Sequence, residues 1–431
     1  MTEATFALLA VLVLGWVVTS ELLARVNVTG PLLFTVAGFL LGSHDWKNFT
    51  VEVDAPSVHL VAEVTLTLLL FSDAARVNLS RLRRDVSLPG RLLGIGLPLS
   101  VVLGSFLAAW LFGDLTWALA AFVGATLAPT DAALSAQVIN DRRIPMRLRR
   151  ALNVESGLND GIVTPVVTFA LAVAAGHLGT GEEERAFTPG AALFELAAGV
   201  AVGVVMGLGS ARLLGVGLRR QWTSTGARRL GALAAALGSL AIALTFGGNG
   251  FIAAFVAGLA FRGGPADEPL DADEVVELPE LIGEILAFVV WFLFGAVLVP
   301  IAFAHFDVRL LGYAVLSLTV VRIVPVVVSL LGNGLDRTTV LFVGWFGPRG
   351  LASVVFALLA IEELGMDGPV ELAVAAVALT VLLSVLLHGI SAGPFGRWYV
   401  RLEQASDDTA PPPRPRRPAH HHLRPSGEAG R

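Results

Sequence analysis

Long apolar segments separated by short polar stretches make up most of this chain. The apolar residues come in blocks of roughly twenty, a length that matches the hydrocarbon thickness of a bilayer. They lack the polar face that a helix of a water-soluble protein presents at every turn. The pattern predicts an all-α membrane protein with about thirteen transmembrane helices, at 4–24, 30–43, 57–75, 92–112, 115–138, 148–176, 190–217, 228–246, 249–262, 278–302, 308–332, 338–361 and 370–393.

The two ends of the chain differ in character. The first span has no basic segment before it and no small-residue cleavage site, so we interpret it as a retained helix and not as a signal peptide. The chain changes character after about residue 400, and residues 410–431 are rich in Pro, Arg and His, so we expect a disordered cytoplasmic tail over 400–431. His420, His421 and His422 could bind a metal, although a solvated tail is the simpler interpretation.

The arginines predict the orientation in the membrane. They cluster after the third, fifth and seventh spans, at Arg76, Arg81, Arg83, Arg84, Arg91, Arg142, Arg143, Arg147, Arg149, Arg150, Arg219, Arg220, Arg228 and Arg229. Because basic loops stay in the cytoplasm, the amino terminus is predicted outside and the carboxyl terminus inside, in the cell inner (plasma) membrane. The predicted cytoplasmic loop 263–277 is acidic, but acidic residues count little in this rule.

Two predicted spans are interrupted by residues that are incompatible with a helix. The fifth contains Leu-Ala-Pro-Thr-Asp at 127–131, and the twelfth contains Phe-Gly-Pro-Arg-Gly at 346–350. Proline removes a backbone donor, and unwound backbone at membrane depth is tolerated only inside protein or beside a watery cavity. Interrupted spans at corresponding places in two halves are typical of transporters, so we predict an inverted repeat with two broken, crossing helices. Two ordinary proline kinks are the alternative.

The sixth span is too polar to face lipid. Ser156, Asp160 and Thr164 form one stripe at helical spacing, and Glu155 and Asn159 form a neighbouring stripe. Charged residues inside a membrane are costly, which makes each a functional candidate. A structural polar network between helices is the alternative.

Asp160 is the main candidate for the ligand of a transported metal cation. A carboxylate binds hard cations such as Na⁺ through oxygen, and hydroxyls and carbonyls of an unwound span can complete the shell. The same carboxylate binds a proton. Proton and cation would then compete for one site, which is the simplest chemical basis for exchange.

Arg322 lies in the middle of the eleventh span and needs an acidic partner there. Glu155 is one candidate, and a structural ion pair between them would leave Asp160 free. Pairing of Arg322 with Asp160 or Asp131 remains open. Asp131 and Arg349 sit at the two breaks, where an acid can compensate exposed helix N-termini and a cation exposed C-termini.

Three further polar residues are less informative. Asp73, at the end of the third span, is either an end residue that reaches the interface or an extra acid near the ion path. Ser384 and His388 in the thirteenth span are interpreted as packing or hydrogen-bonding residues.

Taken together, these residues resemble the monovalent cation:proton antiporters, in particular their bacterial sodium/hydrogen exchanger-like (NhaP-type) branch. The resemblance covers about residues 4–395 and is carried by Thr130-Asp131, Glu155-Ser156, Asn159-Asp160, Arg322 and Arg349-Gly350. Two positions depart from the family pattern. Ala132 stands where proline often follows the Thr-Asp pair. In the family, the acid near the end of the third span, where Asp73 lies in this chain, varies in kind and position.

The resemblance implies a thirteen-span inverted repeat, a homodimer and a core domain that moves against an interface domain. It implies ion binding by Asp160 with help from Ser156 and the backbone of Thr130, a Glu155–Arg322 pair, and electroneutral exchange because Asn159 precedes Asp160. The implied division is interface helices 1–3 in 1–90, core helices 4–6 in 91–176, linker and interface helices 7–10 in 190–302, core helices 11–13 in 308–395 and the tail in 400–431.

Composition limits the alternatives. The chain has no cysteine, which excludes disulfides and thiolate chemistry, and no nucleophile–base or metal constellation of an enzyme is visible. We therefore expect a secondary active antiporter that exchanges Na⁺, or else K⁺ or Li⁺, for a proton, in contact with membrane lipid and without cofactor or nucleic acid. A cation- or proton-selective channel, a cation-coupled solute symporter and a membrane sensor are the alternatives.

Overall fold

The chain folds into apolar helices that are long enough to cross a membrane. The computed structural model describes residues 3–25, 27–42, 56–77, 87–139, 141–178, 189–263 and 271–408, and these ranges contain helices but no strand. Eight helices have the length and hydropathy of membrane spans, and four shorter helices are also apolar. The predicted class, an all-α membrane protein, is confirmed. The number of bilayer crossings stays a prediction.

We label the helices by the predicted span in which they lie. They are α1 (Glu3–Arg25), α2 (Gly30–Gly42), α3 (Pro56–Arg76), α4 (Ser87–Leu111), α5 (Trp117–Thr126 and Ala136–Ile139), α6 (Met146–Leu178), α7 (Pro189–Arg219), α8 (Thr225–Thr245), α9 (Gly250–Arg262), α10 (Glu277–Ala304), α11 (Val308–Leu318 and Val320–Ser329), α12 (Arg337–Trp345 and Leu351–Leu364) and α13 (Gly368–Asp408). A single turn, Ala272–Val275, precedes α10.

Side-chain caps define where several helices begin. The oxygen of Asn249 accepts the amide of Ile252 at 3.0 Å, and Asp307 accepts the amide of Leu310 at 2.6 Å. Such caps satisfy amides that have no partner within the helix. Between α8 and α9, Gly247 takes a left-handed conformation with φ of 68°, which a residue with a side chain rarely adopts. The two helices are therefore separate, as predicted.

The last helix is longer than its sequence suggested. We expected the span to end at residue 393 and a disordered tail to begin at 400, but α13 continues to Asp408. The end of the helix is held by Tyr399, whose ring stacks on Phe342 at 4.2 Å and whose hydroxyl lies 2.9 Å from the hydroxyl of Thr339. The prediction was wrong for 400–408, and residues 409–431 lie outside the described residues.

Glycines set how closely the helices approach. A Cβ at Gly199, Gly203 or Gly207 of α7 would collide with the backbone of α9, and one at Gly258 of α9 would collide with the backbone of α3. Small residues allow such close approach inside membranes, where packing drives helix association. Helix α9 is therefore tightly packed against both α3 and α7, while α4, α5, α6, α11, α12 and α13 surround the two breaks.

The glycine contact between α7 and α9 can be tested within one helix. A Cβ at Gly207 would meet the Ala257 carbonyl and lie 2.7 Å from the Cβ of Ala260, whereas a Cβ at Gly209 would meet nothing within 4 Å. We expect Gly207→Ala to destabilise the protein by about 1–3 kcal/mol through overpacking. Gly209→Ala should be neutral or stabilising. Thermal unfolding in detergent measures both, and equal melting temperatures for the two variants would contradict this packing.

Candidate ion-binding site

The two predicted breaks are present and lie against each other. The first helix of α5 ends at Thr126, and α12 is interrupted between Trp345 and Leu351. The amide of Asp131, in the first break, donates to the carbonyl of Pro348, in the second, at 2.9 Å. The unwound segments thus satisfy part of each other's backbone.

The side chain of Asp131 accepts amides at the start of one helical segment and in the turn that follows Asp131 itself. Its Oδ2 accepts the amide of Leu351 at 3.0 Å, where the second half of α12 begins. Its Oδ1 accepts the amides of Ala133 at 2.7 Å and Leu134 at 3.3 Å. Helix N-termini carry partial positive charge and unpaired amides, both of which favour a carboxylate. Asp131 is therefore largely occupied by the backbone.

Arg349 has the opposite role at the other break. Its side chain is fully buried, and its Nη1 donates to the carbonyls of Ala128 at 2.7 Å and Pro129 at 3.2 Å. The amide of Arg349 donates to the hydroxyl of Ser384 at 2.7 Å. Within the described ranges, no carboxylate forms an ion pair with Arg349. The carbonyl end of the first helix of α5 instead compensates the guanidinium.

The structure adds two glycines to the site. A Cβ at Gly350 would overlap the carboxylate of Asp131, and one at Gly347 would overlap the guanidinium of Arg322. Both glycines therefore leave space for a charged side chain. Both glycines flank the Pro348-Arg349 pair, which marks them in the sequence as part of the break. The sequence did not indicate which charged groups would lie beside them.

Glu155 and Arg322 form a bidentate ion pair. Nη1 of Arg322 lies 2.5 Å from Oε1 of Glu155, and Nη2 lies 3.1 Å from Oε2. Both side chains are about 95% buried, at 5% and 4% exposure. Of the pairings that the sequence left open, the structure contains this one, and neither Asp160 nor Asp131 is paired with Arg322 in it.

A hydrogen-bonded cluster links α6 to the break in α5. The hydroxyls of Thr130 and Ser156 lie 3.0 Å apart, and Nδ2 of Asn159 donates to the Thr130 hydroxyl at 2.8 Å and carbonyl at 3.3 Å. Asp160 follows one residue later, half-buried. Among the described residues, no hydrogen-bond donor contacts its carboxylate; Thr164 bonds only to its backbone oxygen.

The acids face a common cavity of about 550 Å³. Asp73, Asp131, Asp160 and Ser156 line its inner part, between α3, α5 and α6. Arg76, Arg147 and Arg150 line it as well, at the ends of α3 and α6 that lie on the predicted cytoplasmic side. Asp73 is therefore on the cavity wall. Thr164 is buried, and Ser384 and His388 hydrogen-bond to each other at 3.2 Å.

Two cavity acids were missed by the sequence reasoning. Glu280 and Glu284 of α10 also line the cavity. Arg76 forms an ion pair with Glu280. Their spacing of four residues, at the start of a predicted span, was the available signal. Glu284 lies one helical turn further into the predicted span than Glu280. A charged residue at that depth indicates a water-accessible surface.

Comparisons with known proteins identify the family. Residues 8–398 match the family model described as "Sodium/hydrogen exchanger, transmembrane". The chain belongs to the sodium/hydrogen exchanger family. This assignment confirms two predictions at the level of the family. The function is cation/proton antiport, and the protein is a multi-pass membrane transporter and not an enzyme.

Individual relatives agree with this assignment. The chain is 30% identical to the "Na(+)/H(+) antiporter NhaP" of Pseudomonas aeruginosa over 350 residues, 77% of this chain and 79% of that protein. It is 25% identical to the "K(+)/H(+) antiporter NhaP" of Alkalimonas amylolytica over 412 residues, 94% of this chain and 69% of that protein. It spans 63% of the "K(+)/H(+) antiporter NhaP2" of Shewanella baltica, at 25% identity over 87% of this chain.

A solved structure shares the fold. The sodium proton antiporter MjNhaP1 of Methanocaldococcus jannaschii superposes with a TM-score of 0.73 at 16% identity, covering 92% of this chain and 98% of that one. The exchanger-family fold therefore extends over nearly the whole described chain.

The buried ion pair generates a stability prediction for this exchanger-family protein. Glu155→Gln leaves the Arg322 charge buried and unpaired, which typically costs about 3–5 kcal/mol. We expect a large loss of thermal stability in detergent for the single variant. The double variant Glu155→Gln/Arg322→Met removes both charges and should be more stable than Glu155→Gln alone. If the stability loss of the double variant equals the sum of the losses in Glu155→Gln and Arg322→Met, the two side chains are not coupled as the geometry indicates.

Proposed function

We propose that this protein exchanges one monovalent cation, Na⁺ in the first place, for one proton, and that Asp160 binds both. The observation that carries the proposal is the difference between the buried charges. Glu155 and Arg322 neutralise each other, Asp131 accepts three amides and Arg349 donates to carbonyls. Asp160 alone of these groups presents an uncommitted carboxylate to the cavity.

The cluster around Asp160 supplies further oxygen ligands. The hydroxyl of Ser156 lies one helical turn before Asp160, and the hydroxyl and carbonyl of Thr130 are held beside it by Asn159. Hard cations prefer such oxygen ligands. Asp73 and Asp131, on the same cavity, would raise the local cation concentration. A bound cation and a bound proton each neutralise Asp160, so that either form, but not the bare carboxylate, can pass the low-dielectric barrier.

The proposal includes the larger architecture. Core helices α4–α6 and α11–α13 would move against interface helices α1–α3 and α7–α10, giving access to Asp160 from each side in turn. A thirteen-span inverted repeat, a homodimer in contact with lipid, an amino terminus outside and a plasma-membrane location belong to the same proposal. In that orientation the cavity opens to the cytoplasm.

Asp160→Asn tests the central claim. The purified protein is reconstituted in liposomes with an internal pH dye, and Na⁺, K⁺ or Li⁺ is added outside. We expect cation-dependent alkalinisation of the lumen, reduced in Asp160→Asn to the level of protein-free liposomes because an amide cannot exchange a proton for a cation. The matched control Asp114→Asn changes an exposed acid in the turn before α5 and should leave exchange intact.

Absence of any pH response in folded, inserted wild-type protein would overturn the antiporter proposal and favour a channel or a symporter. Full activity in Asp160→Asn would instead move the ion site to another cavity acid.

Voltage separates one-to-one exchange from other stoichiometries. With a single exchanging carboxylate, no net charge crosses per cycle. We expect the initial rate to be the same at zero potential and at an imposed potassium diffusion potential with valinomycin, using Na⁺ as substrate. A rate that rises with potential of one sign would show that a second proton or cation moves with each cycle.

A further inference from the structure

Two histidine–glutamate pairs lie at the end of the molecule opposite the cavity mouth. Nδ1 of His59 is 2.7 Å from a carboxylate oxygen of Glu362, and Nε2 of His305 is 3.1 Å from one of Glu371. His59 is in the first turn of α3, whose last turns carry the cavity residues Asp73 and Arg76. Both pairs are thus about one membrane-spanning helix away from the opening.

Each pair joins the two groups of helices that the proposed mechanism moves apart. His59 is on α3 and Glu362 is near the end of α12. His305 directly follows α10, and Glu371 is in the first turn of α13. Two independent pairs therefore link an interface helix to a core helix on the same side. Opening of that side requires both to separate.

Acidic side chains surround both pairs. Glu63 on α3 interacts electrostatically with Glu362, and Glu363 on α12 interacts with Glu362 and with Glu195 on α7. Near the second pair, Asp307 and Arg309 follow His305, and Asp367 precedes Glu371. Acids outnumber bases at both places.

The pairs are accessible to protons from that side. The side chain of Glu362 is 46% exposed, and those of His305 and Glu371 are 33% and 31% exposed, while His59 is 10% exposed. Imidazole changes its charge near neutral pH. A proton that reaches either histidine from that side strengthens its attraction to the carboxylate.

We propose that His59–Glu362 and His305–Glu371 form a latch that closes the side opposite the cavity and that protons on that side tighten it. The latch rests on the proposed alternating-access exchange, but it concerns a conformational equilibrium that can be measured without transport. Acid on the latch side would then hold the protein in the conformation with the cavity open, in addition to the competition between proton and cation at Asp160.

The absence of cysteine from these 431 residues allows a direct test by crosslinking. The variant H59C/E362C is reconstituted and treated with a short, reducible bis-methanethiosulfonate crosslinker. We expect exchange to fall to the background of protein-free liposomes and to return after reduction. The single variants H59C and E362C, treated in the same way, should keep their activity. Undiminished exchange by fully crosslinked protein would overturn the latch.

A labelling readout separates this proposal from the proposed function. Asn153 is exposed and lines the cavity, so N153C in detergent reacts with a maleimide while the cavity is open. The labelling rate of each protein is normalised to that of its own denatured sample at the same pH. We expect the ratio of the normalised rate at pH about 5.5 to that at pH about 7.5 to be higher in N153C than in N153C/H59Q/H305Q. An identical ratio in the two proteins would overturn the proton-tightened latch, whether or not the protein transports ions.

Folding of the histidine variants is checked by size-exclusion chromatography. If H59Q prevents folding, N153C/E362Q/E371Q removes the same pairs from the carboxylate side and should show the same loss of pH dependence. An unchanged pH dependence in that variant would overturn the proposal equally.

Discussion

Unwound backbone in the middle of a membrane protein must find partners, and this requirement organises the centre of the structure. At the crossing of α5 and α12, Asp131 accepts the amide of Leu351, Arg349 donates to the carbonyls of Ala128 and Pro129, and the two breaks share a backbone hydrogen bond. In an environment of low dielectric constant each of these bonds is strong, and each missing one would be costly. The charges at the breaks therefore belong to the fold as much as to the site.

The same requirement explains why the acids near the crossing differ in what they can do. Asp131 and Glu155 are held by amides and by Arg322, so their charges are matched by permanent partners. Asp160 lies on the same helix as Glu155, five residues later, yet it faces the cavity without such a partner among the described residues. In the proposed exchange, paired charges would form a fixed framework beside the uncommitted carboxylate of Asp160, and the charge of the site would depend on its occupant.

Much of this could be predicted from sequence because the signals were local. The apolar blocks indicated the spans, and the residues Pro129 and Pro348 marked the breaks to within a few positions. Arg322 had to find an acid, although the sequence alone left three candidates open. The tertiary contacts were out of reach. The need for Gly350 beside Asp131 depends on how two distant segments cross, and the position of Glu280 and Glu284 on the cavity depends on the packing of α10 against α3. The end of α13 was missed because Tyr399 is held by Phe342, a contact across more than fifty residues.

The mutual capping of the two breaks has a kinetic consequence. Thr130 is hydrogen-bonded to Ser156 and Asn159 of α6, and its segment is joined to α12 by a backbone hydrogen bond, so in the proposed cycle the oxygen atoms around Asp160 would keep their arrangement while the access route changes. The intrinsic affinity for the cation would then be the same from either face of the membrane. In the proposed exchange, the direction of net flow would then follow from the ion and proton gradients of the cell, and the proposed latch would change only how often each side opens.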